Sequence, residues 1–174
     1  MLGWHVGTRN AGSAIAFIQD VQKRLNRKVQ LTADGFRTYL EAVEATFGND
    51  IDFAQLVKVY GKKDGSSDNT EKKYSPAVCI GATKRVVSGN PNPAHISTSF
   101  VERQNLTMRM RMRRFTRLTN AFSKKMENHC LVIALHFVYY NFVKIHKTLR
   151  VPLAMEAGLI KRLMTIEDIF RLAD

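Results

Sequence analysis

The sequence predicts an α/β fold with a helical C-terminal half, and three features of its 174 residues carry that prediction. Strand-like and helix-like segments alternate over residues 1–61. A polar, Gly/Ser-rich stretch, residues 61–76, then interrupts the alternation. From Ser97 to about His146 the apolar spacing is helical. A chain of this length forms one domain with a full core and is short for two. The expected organisation is one domain over 1–174, with a loop or insertion near 61–93 and a helical part over 97–174.

The elements follow in order. "GWHVGT" (3–8) reads as the end of a strand, with Trp4 in the core. In "AGSAIAFIQDVQKRL" (11–25), Ala14, Ile15, Phe17, Ile18, Val21 and Leu25 are spaced for one helical face. "KVQLTADG" (28–35) is a short β-branched and apolar run closed by Asp-Gly, a strand followed by a turn. "RTYLEAVEATFG" (37–48) returns to the helical period and stops at Gly48, a suitable residue just past a helix end. "DFAQLVKVYG" (52–61) reads as another strand. Strand, helix, strand, helix, strand in succession is the signature of a three-layer α/β core with parallel pairing. "AVCIGATKRVVSGNPNP" (77–93) supplies one or two further short strands before Pro91 and Pro93. The helical half breaks into two helices near Glu127–His129, and "HKTLRVPLAMEAG" (146–158) leaves the second through Pro152.

Charge narrows the class of partner. The formal net charge is +12, and residues 97–150 hold eleven Lys and Arg against two Asp and Glu, which is nine of those twelve charges. Positive charge concentrated in this way is the electrostatic footprint of a polyanion, most often nucleic acid. Cys79 and Cys130 form no C-x-x-C pair, which argues against structural zinc and favours a reducing compartment. The first residues lack a basic start and a long apolar run, so they do not resemble a signal peptide. The longest apolar stretch, "CLVIALHFVYYNFV" (130–143), contains His136 and Asn141 and is too short to span a bilayer, so it reads as a buried helix.

The stretch "STSFVERQNLTMRMRMRRFTR" (97–117) concentrates the chemistry. At about 100° per residue, Glu102, Asn105, Arg109 and Arg113 fall on one helical face. Phe100, Val101, Met108, Met112, Phe115 and Phe122 fall on the opposite, core-directed face. Ser97 or Thr98 is placed to cap the start. Arg103, Arg109, Arg111, Arg113, Arg114 and Arg117 are too many for a merely solvated face, and arginine pairs well with phosphate. Glu102 has two readings: a surface acid paired with Arg103 or Arg109, or a ligand. Asp34 also has two. It is either the first residue of an Asp-Gly turn or a carboxylate at the carboxyl end of a strand, where open α/β sheets place ligand crevices. Together the two acids could share a divalent cation, which prefers oxygen ligands. His136 and His146, flanking Tyr139 and Tyr140, read as packing or hydrogen-bonding groups, and His95 lies close enough in sequence to approach the site.

Three segments carry a resemblance: "VQLTADGFRTYLEAVEATFG", "HISTSFVERQNLTMRMRMRRFTRLTNAFSKKMENH" and "YYNFVKIHKTLRVPLAMEAG". They are similar to the catalytic region of bacterial DDE-type insertion-sequence transposases, in the insertion-sequence-one-like group, relatives of retroviral integrases with an RNase H-like fold. The middle segment is the most specific, since the acid, the Asn at +3 and the basic residue at +7 all match. The resemblance implies DNA strand cleavage and transfer in transposition, with Mg2+ or Mn2+ as cofactor and a bacterial cytoplasmic, nucleoid-associated location. It assigns Asp34 as the family's second metal-binding aspartate, Glu102 as its glutamate, and Arg109, with Asn105 and Arg113, to DNA. The implied partners are transposon ends and target DNA, together with a homo-oligomer or a mixed oligomer with an intact transposase.

The departures matter equally. The family's first aspartate lies on a first strand upstream of the second, whereas here Asp20 is the only aspartate before Asp34 and falls within the helix of 11–25, where a solvated position is expected. The match begins at the family's third strand, so the expectation is a truncated, inactive copy with little or no strand transfer and marginal stability. A basic DNA-binding remnant without chemistry, able to interfere with an intact transposase, is the alternative. An RNA-binding reading is poorer, because no aromatic stacking motif is visible.

Overall fold

The computed structural model describes residues 2–61, 78–116, 119–121 and 123–172. The polar stretch expected to be a loop over 61–76 falls almost wholly outside them, as do Arg117 and Phe122. The chain divides into two compact units, Leu2–Arg111 and Met112–Asp174.

The first unit is mixed α/β. Helix α1 (Ala11–Gln22) starts at Asn10, whose side chain accepts a hydrogen bond from Ser13 N at 2.9 Å and so satisfies one of the donors a helix start leaves open. Strand β1 (Gln30–Asp34) leads through the Asp-Gly turn to α2 (Thr38–Phe47), which ends at Gly48 with φ +53°, a conformation glycine adopts at no steric cost. Strand β2 (Asp52–Gly61) pairs parallel with β1, and β3 (Val78–Ser88) pairs antiparallel with β2, giving the order β1-β2-β3. Side chains alternate along a strand, so Leu31, Ala33 and Phe53 share one face of the sheet. On that face Ala14 and Ile18 of α1, Ala42 and Val43 of α2, and Ile51 and Phe53 form the buried core. Gln22 of α1 donates to the Thr46 carbonyl of α2 at 2.7 Å and ties the two helices together.

Two expectations fail in this unit. Residues 3–8 form no strand, and Trp4 is exposed instead of lying in the core. A strand is stable only where a neighbour takes its backbone hydrogen bonds, and among the described residues none pairs with this segment. Helix α3 (Ser99–Arg111) is also shorter than the periodicity implies. Met112 is extended and buried, and Arg113–Phe115 form a single 3-10 turn. Continuing the helix would stack Arg109 on Arg113 and Arg111 on Arg114, like charges at helical spacing. Stopping at Arg111 places Arg109 and Arg111 in the last turn, where the helix dipole favours cations.

The second unit is helical. Its helix α4 (Met126–Val138) includes Glu127–His129, so the two helices do not part there as the sequence suggests. It continues as a π-helical turn over Tyr139–Val143. Ile133, His136 and Phe137 are buried, and Tyr140 packs against both His136 and His146 with ring centroids 6.1 and 5.0 Å apart. Pro152 caps the short α5 (Leu153–Glu156). Helix α6 (Ile166–Arg171) carries a reciprocal cap: the Thr165 hydroxyl accepts from Asp168 N at 3.2 Å, and the Asp168 carboxylate accepts from Thr165 N at 2.8 Å. Arg162 adds an ion pair at 2.9 Å, and with the cap it holds the Asp168 carboxyl well below the usual carboxylate range.

That depression fixes the sign of a pH effect. The Arg162 pair and the cap together contribute stability above the ordinary aspartate range and lose it as pH falls through the lowered folded value. The Thr165→Ala variant is expected to cost about 1 kcal/mol, read as a lower midpoint in urea at neutral pH, with the difference from the parent narrowing in strong acid.

No helix among the described residues is long and apolar enough to cross a membrane.

Candidate functional site: two carboxylates on one sheet face

The second face of the sheet carries Gln30, Thr32 and Asp34 from β1 and Asp52, Ala54, Leu56 and Lys58 from β2, by strand alternation. Lys84 of β3, opposite Leu56, joins them. The return from β3 to α3 is fastened to this face step by step. Gly89 turns the chain at φ +68°, where a Cβ would lie 2.1 Å from Asp52 Oδ1. Asp52 Oδ1 accepts from Asn90 N at 2.9 Å and pairs with the Lys28 ammonium at 3.1 Å. Gln30 then exchanges two hydrogen bonds with the Asn92 backbone, at 2.9 and 3.2 Å, and the Lys84 ammonium donates to the Pro93 carbonyl at 2.6 Å. His95 ends the following 3-10 turn (Pro93–His95) and is exposed. Ile96 and Thr98 are buried and deliver the chain to the start of α3.

Glu102 lies in the first turn of α3, its backbone N–H donating to the Thr98 carbonyl at 3.0 Å. Its carboxylate is fixed through one oxygen: Oε1 accepts from the Thr98 hydroxyl at 2.7 Å and from the Lys58 ammonium. Lys58 and then Thr98 hold the Glu102 carboxyl below its ordinary range, and Glu102 in turn raises Lys58. Oε2 has no protein partner among the described residues. The partner of Glu102 is therefore Lys58, not the Arg103 or Arg109 of its own helix that sequence spacing suggests.

Asp34 stands at the carboxyl end of β1, opposite Leu56 and one pleat short of Lys58, about 7 Å along the strand. Its Oδ1 accepts from Phe36 N at 3.1 Å, so it does make the turn of an Asp-Gly pair, and the side chain is exposed. The buried Gln55 amide holds the same turn from the core side, donating to the Asp34 and Phe36 carbonyls at 3.1 and 3.3 Å. Asp34 thus lies at the carboxyl end of the sheet face from which Lys58 reaches the Glu102 carboxylate of α3.

Asn105 and Arg109 are exposed on α3, as is Glu102. Arg113 is exposed too, but it lies past the end of α3 and in the second unit, so the four residues do not line one helix face. Phe100 and Val101, expected to face the core, are exposed, and Gln104 is the buried residue of the helix. Asp20 pairs with Arg24 at 2.9 Å on the surface of α1, which accounts for it without a ligand role.

A two-metal centre needs more donors than this arrangement provides. Among the described residues no group of three or more His, Cys, Asp or Glu could hold a metal ion. The Glu102 carboxylate is already neutralised by an ammonium group. The residues present do not fit a resident divalent cation.

Comparison with known families finds no family model that matches this chain, and comparisons with curated proteins and with solved structures find no match either. The fold and site define a mixed α/β protein with a three-stranded sheet, a carboxylate at the end of β1 and a basic helix whose Glu102 pairs with Lys58 of β2.

Proposed function

We propose that this chain is part of the catalytic domain of a DDE-type insertion-sequence transposase with an RNase H-like fold, and that it binds DNA. The observation that carries the reading is the ion pair between Glu102 of α3 and Lys58 of the sheet. The Lys58–Glu102 pair brings the acid of "VERQNLTMR" to the sheet face and strand end that hold Asp34. The parallel β1–α2–β2 unit supports it, because that connection places the crevice at the carboxyl ends of its strands.

A second reading, DNA binding without chemistry, is favoured by the donor set. With no third acid grouped with Asp34 and Glu102 among the described residues, and Glu102 neutralised, the chain is expected to bind DNA and not join strands. A joining assay tests this, with the full chain, a 3′-OH donor duplex and Mg2+ or Mn2+. No joined product is expected at any metal concentration. Joined product that vanishes in the Glu102→Gln variant would show that the site is complete in this chain and would remove the second reading.

A further inference from the structure

Strand β3 is an edge of the sheet, and its outer side has no partner among the described residues. It is 11 residues long, and every side chain from Cys79 to Val87 is exposed, Ile80 at 61% and Val86 at 54%. The opposite edge, β1, has five residues, four of them partly covered. An open edge of this length is a template for another strand, and chains normally blunt it with bulges and charged side chains. Strand β3 carries both: a shift of register toward each end, and the cations Lys84 and Arg85 near its middle. Between the shifts, Gly81 to Val86 pair residue by residue with Val59 to Ala54 of β2, so the stretch is regular.

We propose that β3 pairs antiparallel with β3 of a second copy of this chain, centred on Thr83, and so joins two three-stranded sheets into one. Antiparallel pairs alternate between two hydrogen-bonding types, and a two-fold axis makes each pair identical to its mate. One residue must therefore lie opposite its own twin. Centring on Lys84 or Arg85 sets like charges directly opposite, which is destabilising. Centring on Ala82 lays Lys84 and Arg85 against the partner's Ile80 and the partner's Cys79. Centring on Thr83 sets Lys84 opposite the partner's Ala82 and Arg85 opposite the partner's Gly81, small residues that leave each cation open to water. The same register brings Val86 next to the partner's Ile80, which covers two of the strand's most exposed aliphatic side chains. It also sets Thr83 opposite the partner's Thr83, a favourable cross-strand pair. The strand's own pattern thus selects a second copy as its occupant. The inference goes beyond the DNA-binding reading and does not depend on it.

Sedimentation equilibrium of the full chain over a dilution series reads the association. Each copy carries a net +12, so moderate salt is used to screen the long-range repulsion. One strand pair is a small interface, and the dimer is expected to be weak and to dissociate on dilution. Gly81 is the place to probe the register, because a Cβ there meets nothing within 4 Å. Gly81→Glu sets a carboxylate opposite Arg85 twice per dimer, and is expected to tighten association about fivefold relative to Gly81→Gln. Gly81→Lys is expected to loosen it by about as much, and adding Arg85→Glu to Gly81→Glu to reverse the gain. A monomer at every concentration, or equal association of Gly81→Glu and Gly81→Lys, would overturn the proposal and leave the edge to a different chain. Cross-linking decides separately should those variants fail to fold. Directly opposite residues have Cα atoms about 4.5–5.5 Å apart, within reach of a disulfide. Thr83→Cys in a Cys79→Ala/Cys130→Ala background is expected to give a covalent dimer on oxidation, and Ala82→Cys in the same background is not. Linking through Ala82→Cys and not through Thr83→Cys would overturn the pairing about Thr83.

Discussion

Replacing Arg109 and Arg113 together by alanine is expected to lower affinity for duplex DNA by about tenfold or more at ~0.1 M salt, and to make the slope of log K against log salt shallower by about two. Each arginine that neutralises a phosphate releases roughly one counterion, so the change in slope reports how many phosphates the two side chains neutralise. The structure makes this a test of two separate arginines. Arg109 ends α3 in the first unit, whereas Arg113 sits in the 3-10 turn that opens the second. Each single variant should therefore remove about one unit of slope. Fluorescence anisotropy on a labelled duplex across a salt series reads both quantities. Unchanged affinity and slope in the double variant would show that this region is not the DNA surface.

The largest stability effect is expected at Phe53. Its side chain is 1% exposed on the central strand, among Ala14, Ile18, Ala42, Val43 and Ile51. Two of those neighbours are alanines, which cannot swing in to fill a vacated ring. Phe53→Ala is expected to cost about 3–5 kcal/mol. That is a large share of the roughly 5–15 kcal/mol that holds a typical domain together. Urea denaturation followed by circular dichroism measures it, with Val59→Ala as the control. Val59 is exposed on the same strand, and its truncation is expected to stay within about 0.5 kcal/mol. A loss below about 1 kcal/mol at Phe53 would mean the unit repacks around the gap and that this cluster is not its core.

The parts of the fold that the sequence discloses are those where one physical signal decides. In α1 and α2 the apolar period coincides with burial at Ala14, Ile18, Ala42 and Val43, and Gly48 marks a helix end by the conformation it alone tolerates cheaply. Strand β2 has the bounds its residue types indicate. Residues 3–8 mislead because a strand-like composition cannot supply a partner strand. The end of α3 misleads because helical spacing ignores the repulsion among arginines that regular continuation would bring.

The candidate site was half legible. Asp34 and Glu102 stand out as acids in informative settings, one before a glycine and one in a basic stretch. Lys58 does not stand out, since a lone lysine near the end of a strand reads as a solvated side chain. Its role emerges only from register: Asp34 pairs with Leu56, which puts Lys58 on the same face and within reach of α3. Pairing between strands distant in the chain leaves no mark on the local pattern of either one.

Strand β2 carries a consequence for how this gene can vary. Its odd-numbered residues Phe53 and Gln55 face the helices and the turn, while its even-numbered Lys58 faces Glu102. Deleting or inserting a single codon between Gln55 and Lys58 would rotate every later side chain to the opposite face, presenting Val57 or Val59 to the carboxylate in place of an ammonium. A two-codon change preserves the parity and only shifts Lys58 along the strand. A one-codon change there would thus turn the ammonium away from Glu102 while leaving the codon of Lys58 itself intact.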